Sequence, residues 1–440
     1  MDVSLRYFLA VRDWLVGWPL MIYVVAMSIV CTVLLKGVQL RLFGKAWRMI
    51  SSGTQEGNAA RDMTPLQAFI NTLSTNLGNG SIAGMATAVY AGGPGSAFWV
   101  VIFGILMMAI RFAEVYISTV YGQQAAKSTV LGGPMLYLQD VPRGKMLAFW
   151  YAFFCFLNGL IIGNMVQSNS IRLSLVSSFG WSASSVALCL AVFVLYIACG
   201  GSQRIIAASD RIVPLKVLIF VFATCALLIY HHAALLDALY LVLTSAFGYG
   251  SFKGGLLGFT MQQAIQFGMA RSILATESGL GSAAILFGFT GSKDPLGSGL
   301  MGMMSTFIST GVCFIVALCI VVSGVWNSGL TSTALTVAAF STVFGSWGGW
   351  IVSFLSITFG IGVTVSYAYI TRASWLYLTS GRYGYLFTVF YVLCCFLGAI
   401  VDVDIVWALG DFVAAGMLFI NLFGIIYLLL HKSTLVKGVA

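Results

Sequence analysis

Charged side chains are so thinly spread along this chain that uninterrupted apolar stretches of bilayer-crossing length fill most of it. Only 8% of its 440 residues are charged and 60% are hydrophobic, where a soluble globular domain carries about 25% charge. A helix needs about 20 apolar residues to cross the hydrocarbon layer. That balance excludes a soluble enzyme, a disordered protein and a nucleic-acid binder, so no nucleic-acid partner is expected. It predicts an all-α polytopic membrane protein, one unit embedded among membrane lipids. The nine cysteines lie inside apolar runs without disulfide or metal-ligand spacing, and are expected to pack. The first residues, Met1 to Trp14, carry Arg6, Arg12 and Asp13 and lack a small-residue cleavage site; no removable signal is expected there.

Apolar runs between polar breaks predict eleven helices, near 15–35, 65–91, 97–122, 147–170, 184–200, 212–230, 254–288, 299–323, 349–371, 384–401 and 405–430. An odd count puts the termini on opposite sides. With the N-terminus outside, the outer side holds only Arg6, Arg12, Arg172 and Lys253, and Arg111, Lys216 and Arg271 fall within spans. The other Lys and Arg lie in inner loops and the tail, the bias expected of a cytoplasmic face. The net charge of +9 therefore needs no polyanionic partner.

Two spans are built wrongly for ordinary membrane helices. The first reads Asn71-Thr-Leu-Ser-Thr75-Asn76-Leu-Gly78-Asn79-Gly80-Ser81-Ile-Ala-Gly84, and the second Gly268-Met269-Ala-Arg271 through Thr276-Glu277-Ser278-Gly279-Leu-Gly281-Ser282. They lie about 200 residues apart at matching places in the two halves. Unwound backbone in a bilayer is tolerated only where protein or a water-filled cavity satisfies it. Freed amides at half-helix N-termini attract anions and freed carbonyls bind cations, the signature of a secondary transporter's midplane site. Close helix packing through Gly80 and Gly84 is the alternative for the first segment alone. A dinucleotide loop has the wrong glycine spacing and would follow a strand.

The ordered stretches Thr64-Pro65-Leu-Gln67-Ala68, Gly78-x-Gly80-x-Ile82-Ala83-Gly84, Gly92-Gly93-Pro94-Gly95, Phe112-Ala-Glu114, Gly132-Gly133-Pro134-Met135 and Gly163-Asn164-Met165-Val166-Gln167-x-Asn169 resemble the alanine or glycine:cation symporter family. So do Glu277-x-Gly279-Leu280-Gly281-Ser282-Ala283 and Val406-Trp407-x-Leu409-x-Asp411. The resemblance runs from about residue 64 to 425. It implies a leucine-transporter-type fold: an extra helix and basic loop (1–62), two inverted five-helix repeats (63–232 and 249–431) and a cytoplasmic tail (432–440). It also implies cation-coupled symport of a small neutral amino acid, alanine or glycine in L or D form, across a prokaryotic cytoplasmic membrane. The cation implied is sodium; no enzymatic activity or further cofactor is, and oligomeric state is left open.

A zwitterion needs a carboxylate receptor and an amine acceptor. Amides near Gly78, Asn79 and Gly80 suit the first, and carbonyls near Thr75 and Asn76 suit the second or a sodium ion. By resemblance Gln167 contacts substrate, with interhelical hydrogen bonding as the alternative. Gly268, Met269 and Thr276 are expected to close over a small side chain. Glu277 can ligate a cation, cap the break or pair with Arg271, the pair being favoured. Arg111 and Glu114, three apart, share a helix face and are expected to pair. Asp411 is expected to cap the last helix. The three His fall in loops and tail, which disfavours a His proton relay.

One departure from the family bears on coupling. Where the family reads Phe-Ala-Phe-Ser-Thr, this chain has Phe359-Gly360-Ile361-Gly362-Val363, so two hydroxyls that help form a sodium site are absent, leaving Asn79 and Thr364 as sodium ligands. Lys216 stands where the family is apolar. It either snorkels to the inner interface, the favoured reading, or takes the place of the sodium and carries a proton. A channel and a non-transporting amino-acid receptor are the remaining alternatives.

Overall fold

A computed structural model describes residues 16–52, 63–124, 132–248, 261–401 and 403–439. The described residues form helices and turns, with no strand among them. Helix α1 (Trp18–Leu34) is followed by the amphipathic α2 (Phe43–Ser52). The first broken span is α3 (Pro65–Asn76), a π-helical turn (Gly80–Gly84) and α4 (Met85–Gly92). Next come α5 (Ser96–Gln124), α6 (Gly144–Leu160) and α7 (Val166–Phe179), the last two joined by a second π-helical turn (Ile161–Met165). Helices α8 (Ala183–Ala198), α9 (Gly201–Tyr230) and α10 (Leu235–Ala246) lead to the second broken span, α11 (Met261–Thr276) and α12 (Ser282–Gly288). The chain ends with α13 (Pro295–Val322), α14 (Ser332–Phe344), α15 (Trp347–Leu378), α16 (Gly384–Ile400), α17 (Val403–His431) and the short α18 (Ser433–Lys437).

Six helices among the described residues are long and apolar enough to cross a bilayer. The two broken spans are divided by sequences that no continuous helix could accept, and the other apolar helices are shorter. Helices α10 and α14, of 12 and 13 residues, were not expected. Each is only about 18–20 Å long at 1.5 Å per residue, too short for a 30 Å hydrocarbon layer. Helix α14 packs on the π turn and on α4. The outer-side Arg6, Arg12 and Lys253, the segment Met1 to Trp14 and the start of the seventh expected span lie outside the described residues.

Helices α5 and α13 form the most extensive helix contact, through small residues that let backbones approach. A Cβ on Gly302 would lie 2.6 Å from Val115, and one on Gly299 2.9 Å from Phe112. The sixth expected span begins eleven residues early. Helix α9 runs from Gly201 straight through Pro214. Ser209 and Asp210, which read as loop residues, instead turn to protein: Ser209 Oγ lies 2.9 Å from Ser366 Oγ, and Gln67 Nε2 donates to Asp210 Oδ2 (3.0 Å).

The tail is tied back to the helices. Lys432 Nζ donates to Asp140 Oδ2 (2.5 Å) and Tyr121 Oη (2.6 Å), and Arg41 Nη2 donates to the Val439 carbonyl (2.6 Å). The bond from Lys432 holds the Asp140 carboxyl below the ordinary carboxylate range. Its contribution is therefore present above the ordinary carboxylate pKa and lost as pH falls through the lowered one. Both side chains are over 40% exposed, so Asp140→Asn is expected to cost no more than about 1 kcal/mol at neutral pH. Thermal inactivation of the variant should converge on wild type in acid.

Candidate functional site

Helix α3 starts on a reciprocal capping box. Thr64 Oγ1 accepts from Gln67 N (3.2 Å), Gln67 Oε1 accepts from Thr64 N (3.0 Å), and Pro65 occupies the first turn. The helix stops at Asn76, and Leu77 and Gly78 leave the helical path. Gly78 is required by closeness: a Cβ there would lie 2.7 Å from Val363 Cγ2. The chain restarts as a π turn, a form that recurs at functional sites.

Breaking an α-helix frees carbonyls that would accept from amides four residues on. Two of the freed carbonyls, those of Ser74 and Leu77, accept from Lys216 Nζ, at 3.1 and 2.9 Å. Lys216 is wholly buried, and among the described residues no carboxylate lies within ion-pair distance. The snorkelling expectation is thus overturned. Because α9 begins at Gly201, Lys216 stands about four turns into its helix, about 22 Å from that end, too deep for its side chain to reach the interface. Gly362 makes the room: a Cβ there would lie 2.8 Å from Lys216 Nζ. Ser74 Oγ donates to the Gly362 carbonyl (2.8 Å), tying α3 to α15 at the same point.

On the other side of the break, Gln167 Oε1 accepts from Asn79 N (3.3 Å) and Asn79 Nδ2 (3.4 Å), while Gln167 Nε2 donates to the Ile162 carbonyl (3.2 Å). The second π turn ends two residues before Gln167. Asn164 and Asn169 point away: Asn164 Nδ2 donates to Tyr391 O (2.6 Å) and Asn169 Nδ2 to Gly398 O (2.9 Å). Asn79 Oδ1 accepts from Ser356 Oγ (2.8 Å). The α15 neighbours of Asn79, Ser356 and Gly360, are a turn or more from Thr364, whose carbonyl accepts from Tyr391 Oη (2.6 Å). Thr364 stands one turn further along that face, and no hydrogen bond joins it to Asn79 among the described residues. Two polar features at the break are left open. Asn76 Nδ2 is buried without a partner, its Oδ1 being the atom that accepts from Arg111 Nη2 (3.4 Å). Half-buried Gly80 faces open space, with no atom from outside its own turn within 4 Å of where a Cβ would stand.

The second break is closed. The expected ion pair of Arg111 and Glu114 forms at 2.7 Å with both side chains fully buried, and it clasps both ends of the interruption. Arg111 Nη2 donates to the Thr276 carbonyl that ends α11. Glu114 Oε2 accepts from the amides of Gly279 (3.1 Å) and Gly281 (3.2 Å) that precede α12. Asn421 Nδ2 donates to Gly279 O (2.8 Å) and Tyr151 Oη to Leu280 O (2.8 Å).

Glu277 and Arg271 do not pair. Glu277 adopts a left-handed φ of 51°, which turns its carboxylate inward to accept from Tyr367 Oη (2.7 Å) and Ser282 Oγ (2.8 Å). Thr75, whose Oγ1 donates to Thr72 O (2.9 Å), lies beside it. Arg271 instead lies over the Trp407 ring (5.8 Å) and within the field of Asp411. Asp411 sits two turns into α17, so it does not cap that helix. Gly268 packs against α5, where a Cβ would lie 2.6 Å from Trp99 Cβ and 2.8 Å from Ser96 O. Met269 is core, and Thr276 Oγ1 donates to Ser272 O (2.8 Å). Gly268→Ala is expected to destabilise by about 1–3 kcal/mol through overpacking, read as faster thermal inactivation with unchanged preference among substrates.

Ser74, Leu77, Tyr367, Ser356 and Asn421 were not anticipated. For Ser74 and Leu77 the signal was available, since a break at Leu77–Gly78 frees the carbonyls of 74 to 77 by the four-residue rule.

The description of the sodium:alanine symporter family matches residues 1–438. The chain belongs to that family. It is 30% identical over 421 residues to an uncharacterized transporter of Haemophilus influenzae, covering 95% of this chain and 92% of the relative. It is 29% identical over 427 residues to the sodium/alanine symporter AgcS of Methanococcus maripaludis, covering 95% and 93%. Among solved structures, a Na+-coupled sialic acid symporter in a substrate-bound outward-open state superposes with a TM-score of 0.52 at 11% identity, over 93% of this chain and 86% of that one. That likeness shows the fold, the leucine-transporter type implied by the resemblance. This member of the sodium:alanine symporter family is a multi-pass membrane transporter and not an enzyme.

Proposed function

We propose that this symporter carries a small neutral amino acid, alanine or glycine, with a cation, by alternating access at the first break. The observation that carries the reading is the contrast between the two interruptions. At the second, Arg111, Glu114, Asn421 and Tyr151 already satisfy the freed backbone. At the first, an unpartnered Asn76 Nδ2 and the open space before Gly80 remain, beside Gln167 and amides of the kind that receive carboxylates. The topology that accompanies this reading has eleven crossings in a 5+5 inverted repeat after the first helix, with the N-terminus outside and the C-terminus in the cytoplasm.

The test is uptake of labelled L-alanine, D-alanine and glycine into proteoliposomes, with sodium and pH gradients imposed separately. Saturable, exchange-capable uptake supports the reading; linear flux indicates a channel, and binding without flux a receptor. Gln167→Ala removes the acceptor of Asn79 and is expected to raise KM on the order of tenfold, about 1.4 kcal/mol. An unchanged KM would leave Gln167 as interhelical packing.

A second reading concerns the ion. Lys216 Nζ bridges two carbonyls beside Gly362, where the family's hydroxyls would stand. An ammonium bound there competes with any sodium for the same oxygens, so coupling by a proton carried on Lys216 replaces coupling by sodium at this point.

A further inference from the structure

The motif Val406-Trp407-x-Leu409-x-Asp411 and Arg271 take no part in the substrate site described above, yet the structure brings them together beside it. Gly80 and Gly84 stand at the two ends of the first π turn, one turn and about 6 Å apart on the same side. What lies against that side differs between them. At Gly80 there is open space, whereas at Gly84 a Cβ would lie 3.0 Å from Arg271 Nη1 and 3.5 Å from its Cζ. The guanidinium therefore stands one turn beyond Gly80, at the end of the open space. Arg271 reaches it from α11, five residues before that helix ends at Thr276. On its other flank the guanidinium lies over the Trp407 ring, 5.8 Å from its centre, and in the field of Asp411, both on α17. Arg271, Trp407 and Asp411 are each half-buried, as groups bordering a space are and groups packed into a core are not. Lys216 and Arg111 are fixed by hydrogen bonds to backbone carbonyls. A ring face and the field of a carboxylate hold a guanidinium less rigidly, because neither fixes a direction as a hydrogen bond does.

We infer that Arg271 is the outer lid of the substrate space at Gly80, held shut by Trp407 and Asp411. The guanidinium leaves the ring and the carboxylate to admit substrate, and returns behind it. This rests on the reading that substrate binds at the first break. An arginine suits the place, since a guanidinium draws an incoming carboxylate toward the amides of that break. A mere brace between α11 and α17 would change stability without changing how fast bound substrate escapes.

The experiment is release of prebound labelled L-alanine from the full chain in nanodiscs, chased with unlabelled alanine, beside uptake kinetics in proteoliposomes. Trp407→Ala is expected to release alanine on the order of tenfold faster, about 1.4 kcal/mol, raising KM with kcat no lower than in wild type. Trp407→Phe keeps an aromatic face and should stay within about threefold of wild type. Asp411→Asn, of nearly unchanged shape, should also release alanine faster, and it decides the matter if Trp407→Ala does not fold. Wild-type release rates in both Trp407→Ala and Asp411→Asn, or release from Trp407→Phe as fast as from Trp407→Ala, would overturn the lid alone. Wild type that binds no alanine would overturn the reading beneath it, and the lid with it.

Discussion

In proteoliposomes, Lys216→Ala is expected to abolish the alanine accumulation that an imposed pH gradient drives. One charge moving through 100 mV is worth about 2.3 kcal/mol, enough for roughly fifty-fold accumulation at about 1.4 kcal/mol per decade. Wild type should approach that limit under a pH gradient worth the same energy, about 1.7 units at about 1.4 kcal/mol per decade, and the variant should only equilibrate its substrate. The reason is positional. Lys216 Nζ holds the carbonyls of Ser74 and Leu77, which end the first half of the broken helix, so a change in its protonation changes what fixes that half-helix to α9 and α15. Removing the lysine also leaves those two carbonyls without a donor, at roughly 1–3 kcal/mol each. Substrate binding by calorimetry therefore has to be measured beside uptake, to separate lost coupling from a damaged site. A stronger form adds Gly362→Ser and Val363→Thr to Lys216→Ala, restoring the family's hydroxyls around vacated carbonyls; this triple variant is expected to become sodium-dependent. Uptake in Lys216→Ala that keeps the wild-type pH dependence would end the proton reading.

Both breaks were legible because glycine clusters and polar residues at hydrocarbon depth leave a continuous helix nowhere to put them. The pairing of Arg111 with Glu114 was legible too, since spacing of three on an unbroken helix fixes a shared face. Spacing across a break carries no such information, and the expected pair of Arg271 and Glu277 fails for that reason: the left-handed turn at Glu277 sends its carboxylate to Tyr367. The depth of Lys216 was hidden by its neighbours. Ser209, Asp210 and Arg211 read as a loop because hydropathy cannot distinguish polar residues facing water from polar residues facing protein. Once α9 is seen to begin at Gly201, the same arithmetic that suggested snorkelling forbids it. Asp411 failed for a different reason: the expected start at 405 is within two residues of the observed one at Val403, and Asp411 lies too far inside either to cap the helix.

The largest loss of stability is expected at Arg111 and Glu114, and its pattern differs from that of an ordinary buried ion pair. Removing one partner of such a pair costs about 3–5 kcal/mol, while replacing both with apolar residues is often neutral or stabilising. Here the pair also serves backbone. Glu114 Oε2 is the acceptor for the amides of Gly279 and Gly281, and Arg111 is a donor to Thr276 O. Arg111→Leu and Glu114→Leu should each shorten the half-life at elevated temperature severely. The double variant should not recover, because three buried backbone groups are left unpaired at about 1–3 kcal/mol each. Glu114→Gln provides the discriminating case: its amide oxygen can still accept from the two glycine amides while the charge is gone, so it should be milder than Glu114→Leu. Hydrogen exchange read at residues 277–281 should rise in Glu114→Leu and much less in Glu114→Gln. A double leucine variant as long-lived as wild type would mean that the second break satisfies its own backbone, and the contrast with the first break, on which the placement of the substrate rests, would lose its physical basis.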